Sequence, residues 1–150
     1  MNPLLLEIAL AVFALVALTW IPGVRRWREV AEAHPETSDP VGESFPLAGM
    51  RIGTGFGSFH DRNFIAVVGP AGLSLRALPL LRRAMPPIFL PWSAFMRGEV
   101  SRGWWQRGVV FLDLDDPPYR LAFSGGLAQA IRRHAVDLLA SGGEEAVAIR

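Results

Sequence analysis

The stretch Phe64–Leu78, FIAVVGPAGLSLRAL, decides the fold class. Phe64 to Gly69 is a short run of β-branched, aromatic and small apolar residues, the composition of a strand. Pro70-Ala71-Gly72 forms a turn, with Gly72 suited to positive φ. Leu73 to Leu78 then alternates, with Leu73, Leu75 and Ala77 on one face and Ser74 and Arg76 on the other. Strand, turn and strand make a hairpin.

Working outward, the same logic adds further strands. Leu47 to Phe56 is a candidate loosened by Gly49, Gly53 and Gly55. Ile88 to Phe95 reads as one strand whose internal Pro91 marks an edge or a bulge. Glu99 to Arg102 is a short candidate, and Val109 to Asp115 alternates before the Asp116-Pro117-Pro118 turn. Tyr119 to Ser124 pairs back. A last helix runs from about Gly126 to Ala140, with Leu127, Ile131, Ala135, Leu138 and Leu139 on one stripe and a stop at Gly142-Gly143. Six or seven short strands and one helix predict an α+β, mainly antiparallel domain over residues 45–141, followed by a tail over 142–150.

Leu4 to Ile21, LLLEIALAVFALVALTWI, is a different kind of segment. It carries one charge, Glu7, and is long enough for a hydrocarbon core of about 30 Å. Its eleven Leu, Ile, Val and Phe residues contribute about −3 to −6 kcal/mol to insertion. A cleaved signal peptide fits less well, because no basic residue precedes Leu4 and no small-x-small site follows Ala17. The expectation is a transmembrane helix over residues 1–23, with Trp20 at the interface. Arg25, Arg26 and Arg28 on the exit side favour an outside N-terminus and a cytoplasmic domain in the inner membrane. Val24, Trp27, Val30 and Ala31 recur at helical spacing, so residues 24–44 read as a juxtamembrane helix followed by a polar linker. That helix either lies on the membrane surface, with Trp20, Arg25, Arg26, Trp27 and Arg28 at the interface, or packs on the domain.

Composition narrows the function classes. Net charge is +1, so no global field draws the chain to nucleic acid. The absence of cysteine excludes disulfides, thiolate metal sites and cysteine nucleophiles. All 15 basic residues are arginine. His34, His60 and His134 are far apart and lack ligand spacing, and no metal or cofactor is expected. Gly53-Thr54-Gly55-Phe56-Gly57 lacks the spacing and the following helix of a phosphate loop. Asp113, Asp115 and Asp116 read as the polar face and end of a strand. His60-Asp61 is a remote candidate acid–base pair for a hydrolase.

The segments Gly72-Leu73-Ser74-Leu75, Met85-Pro86-Pro87-Ile88-Phe89-Leu90-Pro91-Trp92-Ser93 and Trp27-Arg28-Glu29-Val30-Ala31 resemble a pattern in small bacterial single-pass membrane proteins. That resemblance implies one N-terminal span and a pleckstrin-homology-like β sandwich or barrel with a C-terminal helix. It implies no activity and no functional residue.

Two surfaces carry the functional expectation. The first is the loop Leu78–Pro87, where Leu80, Leu81 and Met85 accompany Arg82 and Arg83. The second is Trp104-Trp105, of which at most one belongs in a core because neighbours on a strand face opposite ways. The expected function is a membrane-anchored, non-enzymatic binding module, an accessory subunit or scaffold, acting through a protein partner or self-association. The alternative is a reader of lipid headgroups at the bilayer through the Leu80–Met85 loop.

Overall fold

The computed structural model describes residues 6–7, 21–53, 59–101 and 108–144. Helix α1 covers residues 21–33. Seven strands follow: β1 Glu43–Ile52, β2 Phe59–Gly69, β3 Gly72–Ala77, β4 Ile88–Pro91, β5 Phe95–Val100, β6 Val110–Leu114 and β7 Arg120–Phe123. Two short helices close the described chain, α2 Gly125–His134 and α3 Val136–Glu144.

The strands form one antiparallel sheet in the order β4-β3-β2-β1-β7-β6-β5, curled toward a barrel. Every strand contributes the residues of one face to the interior. Ala48, Met50 and Ile52 come from β1, Phe64, Ala66 and Val68 from β2, and Leu73, Leu75 and Ala77 from β3. Val110, Leu112, Leu114, Leu121 and Phe123 fill the other half. In the second half of β1 and in β4 and β6 the two-residue period of the sequence is the period of burial, whereas β3, β5 and β7 depart from it.

The curl originates in β1. Its register against β2 shifts twice, between Phe45 and Ala48 and between Ala48 and Met50, and Leu47 sits at φ 53 beside Pro46. Such bulges bend a strand and increase its twist. Beyond the bend, Met50–Ile52 pairs with β2 on one side and with Leu121–Phe123 of β7 on the other.

Helices α1 and α2 add their apolar side chains to this interior. Helix α1 lays Trp27, Val30 and Ala31 onto the interior, with Val24 partly buried beside them. The Trp27 ring meets Phe64 at a centroid distance of 6.1 Å, and its Nε1–H donates to the Pro86 carbonyl at 2.7 Å. From α2, Leu127, Ala128, Ala130 and Ile131 are buried toward β1, β2 and β6. After α1 the chain runs beside β4: Phe89 N–H donates to the His34 carbonyl at 3.1 Å and Pro35 bridges Ile88. The Glu36 carboxylate then accepts from Ser74 Oγ and, at 2.6 Å, from Arg76 Nε. This segment covers the outer edge of β4, which would otherwise present unpaired backbone groups.

Several expectations are corrected. Among the described residues no helix is long and apolar enough to cross a membrane. This removes the support for a transmembrane span, a single-pass topology and an inner-membrane location. Leu4–Ile21 itself, with Trp20, lies almost wholly outside the described residues. The part of α1 that is described is residues 21–33. It carries Arg25, Arg26, Arg28, Glu29 and Glu32. Of the expected sandwich or barrel, a sandwich of two sheets is replaced by one continuous, nearly barrel-shaped seven-stranded sheet. The single C-terminal helix is two, broken at Ala135. Ile88–Phe95 is not one strand: Pro91 ends β4, Trp92–Ala94 makes a 3-10 turn, and β5 begins at Phe95. Proline withholds a ladder donor, so the strand stops where that donor is missing.

Trp27 is the test of how α1 packs. Replacement by Ala is expected to lower unfolding free energy by about 3–5 kcal/mol. Replacement by Phe, which keeps most of the volume but abandons the Pro86 carbonyl, is expected to cost about 1–3 kcal/mol. Urea unfolding followed by circular dichroism measures both; a Phe variant as stable as the wild type would show that the indole N–H contributes nothing, and one as unstable as Ala that the ring's bulk does not.

Candidate functional site

The β3–β4 connection is built from LPLLRRAMPP, residues 78–87. Pro79–Leu81 forms a 3-10 turn, with Leu81 N–H donating to Leu78 O at 2.8 Å. Met85 N–H returns to Leu81 O at 2.8 Å, and the Met85 side chain is fully buried. Leu81 and Ala84 are half-buried against the core. Leu80 at the tip is 97% exposed. Arg82 and Arg83 are exposed beside it, Arg82 Nε reaching the Ala77 carbonyl at 3.5 Å. The five residues singled out here therefore divide: Leu80, Arg82 and Arg83 face solvent, whereas Leu81 and Met85 anchor the loop.

The second feature lies where α1 meets the β6–β7 turn. A cleft of about 420 Å³ is lined by Arg26, Gly53, Met96, Asp113, Tyr119 and Arg120, among others. Arg120 holds Asp113 with both arms of its fork, Nε to Oδ1 at 2.6 Å and Nη2 to Oδ2 at 2.8 Å. The same guanidinium lies 5.5 Å from the centre of the Phe111 ring. Arg26 reaches the Ile52 carbonyl at 3.4 Å and lies 6.0 Å from the Tyr119 ring centre. The Tyr119 hydroxyl donates to Glu29, which also accepts from Arg25 Nε at 3.0 Å. His34 Nε2 sits 2.7 Å from the Asp116 carbonyl. These groups are engaged with one another, so the cleft ties α1 to β6 and β7.

The electrostatics follow from that geometry. The hydrogen bond from Tyr119, aided by Arg25, holds the Glu29 carboxyl below its ordinary value of 4.5. The same bond, with burial, holds the Tyr119 phenol above its ordinary 10.0. Arg120 is raised by its bond to Asp113, and Arg76 by its bonds to Asp39 and Glu36.

The remaining sequence candidates are placed as follows. Trp104 and Trp105 lie outside the described residues. Arg25 and Arg28 are exposed on α1, and Trp27 is core rather than interface. His60 and Asp61 lie on β2 opposite Arg51 and Met50, and their side chains are outside the described residues. Asp113 belongs to the Arg120 pair, while Asp115 and Asp116 are exposed. Among the described residues no group of three or more His, Asp or Glu is gathered to hold a metal ion. Sequence reasoning missed the Glu29–Tyr119 and Glu36–Ser74–Arg76 ties. Their only sequence signal was a carboxylate on each of two polar segments. The chain matches no family model, no curated protein and no solved structure.

The Glu29–Tyr119 pair predicts a pH signature. A carboxyl lowered by folding stabilises the fold above the unfolded value, and that contribution disappears as pH falls through the lower folded value. A phenol raised by folding stabilises below 10.0, and that part disappears as pH rises through the higher folded value. Tyr119→Phe is therefore expected to flatten both the acid and the alkaline limbs of the stability–pH curve, measured by urea unfolding from pH 3 to about pH 11. Unchanged limbs would mean that the pair does not form in solution.

Proposed function

We propose that this domain is a non-enzymatic binding module that recognises a protein partner through the β3–β4 loop. The observation that carries the reading is Leu80, almost fully exposed and followed closely by the exposed Arg82 and Arg83, on a loop whose base is pinned in the core by Met85. A fixed loop loses little conformational freedom on docking, so more of its contact energy appears as affinity. A leucine offers an anchor for an apolar pocket, and two arginines offer donors to carboxylates around it. The matching surface is an apolar depression rimmed by Asp and Glu. The polar groups around Arg120 and Tyr119 bind one another and hold the scaffold that presents the loop.

The test compares the wild-type chain with Leu80→Asp, with Arg82→Ala/Arg83→Ala, and with Arg132→Ala as a distant surface control. All are expected to stay within about 0.5 kcal/mol of wild-type stability, as surface substitutions do. Cross-linking in cells followed by mass spectrometry is expected to recover one partner with wild type and with Arg132→Ala, and to lose it with both loop variants. Recovery undiminished by the loop variants would refute the reading. Salt-sensitive flotation on anionic vesicles, abolished by Arg82→Ala/Arg83→Ala, would assign the loop to lipid headgroups instead.

A further inference from the structure

Among the described residues strand β5 ends the sheet, pairing with β6 alone. Ser101 N–H donates to the Val109 carbonyl at 2.9 Å, in the register that sets Glu99 opposite Phe111 and Arg97 opposite Asp113. Antiparallel ladders alternate residue by residue. The backbone groups of Arg97 and Glu99 therefore face β6, and those of Gly98 and Val100 face away from it. Gly98 is nevertheless buried. A Cβ built there would lie 2.8 Å from Leu139 Cδ2, 3.2 Å from Leu112 Cδ2 and 3.3 Å from Leu138 Cγ, so α3 rests on β5 at this residue, beside Leu112 of β6.

Helix α3 is a weakly self-supporting element. Its principal contacts are with β5, and it touches the end of α2. Ala135, at φ −106 and ψ 36, interrupts the helix between the two. At nine residues α3 is shorter than the roughly 12–15 that an isolated helix needs. It also includes Gly142 and Gly143, the residue type least favourable to a helix after proline. Val136 is exposed, and docking rests on the half-buried Leu138 and Leu139. Elements of this kind supply the low-energy openings of a native protein.

We propose that α3 is a hinged cover over β5, which lifts about Ala135 while the barrel stays folded and bares the backbone of Gly98 and Val100. The barrel side of the hinge is secured independently, because Ala135 is buried and its N–H bonds to Ile131 O at 2.8 Å. Gly98 is the contact point: any side chain there pushes first on the end of Leu139, so enlarging it works the hinge from the strand side.

Amide hydrogen exchange on the full chain, resolved by NMR, tests this. In the wild type the amides of α3, Gly98 and Val100 are expected to exchange together, at least a hundredfold faster than those of Leu112 and Leu121. In Leu138→Ala/Leu139→Ala, α3 is expected to lose its helical chemical shifts. Gly98 and Val100 then lose protection while Arg97 and Glu99 keep it; Gly98→Ala is expected to do the same in part. Exchange of α3 as slow as that of Leu112, or loss of the barrel together with α3 in the variants, would overturn the proposal.

Discussion

The indole of Trp27 is the contact on which the arrangement of the fold depends. Among the described residues it is the largest fully buried side chain, and it belongs to a helix outside the sheet while packing on Phe64 of β2. Burying a large aromatic is among the strongest stabilising contributions one residue makes, and its N–H must find an acceptor once dry. The Pro86 carbonyl is that acceptor. One side chain therefore fixes the seat of α1 and the base of the β3–β4 loop together. Around this contact the polar ties fall in place: Arg25 and Tyr119 on Glu29, His34 against Asp116, and Glu36 over Ser74 and Arg76. Apart from Arg25–Glu29, which lies within α1, these ties link α1 and the segment after it to distant parts of the chain.

The sheet reaches its shape by bending β1 instead of adding strands. Two register shifts within ten residues let one strand serve both halves of the sheet. The price of a curled but incompletely closed sheet is two terminal strands, and they are managed differently. The β4 edge is covered by the segment after α1, through backbone hydrogen bonds at His34 and Glu36. β5 is covered by α3, through Leu138 and Leu139 on Gly98. One cover is tied by charge and backbone pairing, the other by two leucines, and this difference separates a fixed edge from one that opens. The exposed Leu80, with Arg82 and Arg83, stands on the fixed part of the molecule.

The hairpin of β2 and β3 was legible because its alternation is local and its turn is marked by Pro70 and Gly72. The β6 and β7 strands were legible for the same reason. The amphipathic stripe of Val24, Trp27, Val30 and Ala31 was visible too, but a stripe does not say what it will meet. Its partner, Phe64, is chosen by tertiary packing. Pro91 does mark an end strand of the sheet, being the last residue of β4, but the sequence did not show that the strand stops there rather than bulging on to Phe95. Ser74 read correctly as lying on the face opposite Leu73, yet it is fully buried, because Glu36 from a distant segment lies over it. Met85 looked like a tip residue of an apolar loop and is an anchor, since composition does not separate the residue that points out from the one that points in. The apolar run Leu4–Ile21 suggested a span from length and hydropathy, and no described helix has those properties.

The exchange of the Trp27 indole N–H, followed by NMR in deuterated buffer beside the amides of Leu112 and Leu121, tests the central claim most directly. If α1 is part of the core, that proton exchanges only when the whole domain unfolds, with the same opening free energy as the strand amides. Exchange through a smaller opening, while Leu112 and Leu121 remain protected, would mean that α1 leaves a barrel that is stable without it, and that Trp27 does not hold the fold together.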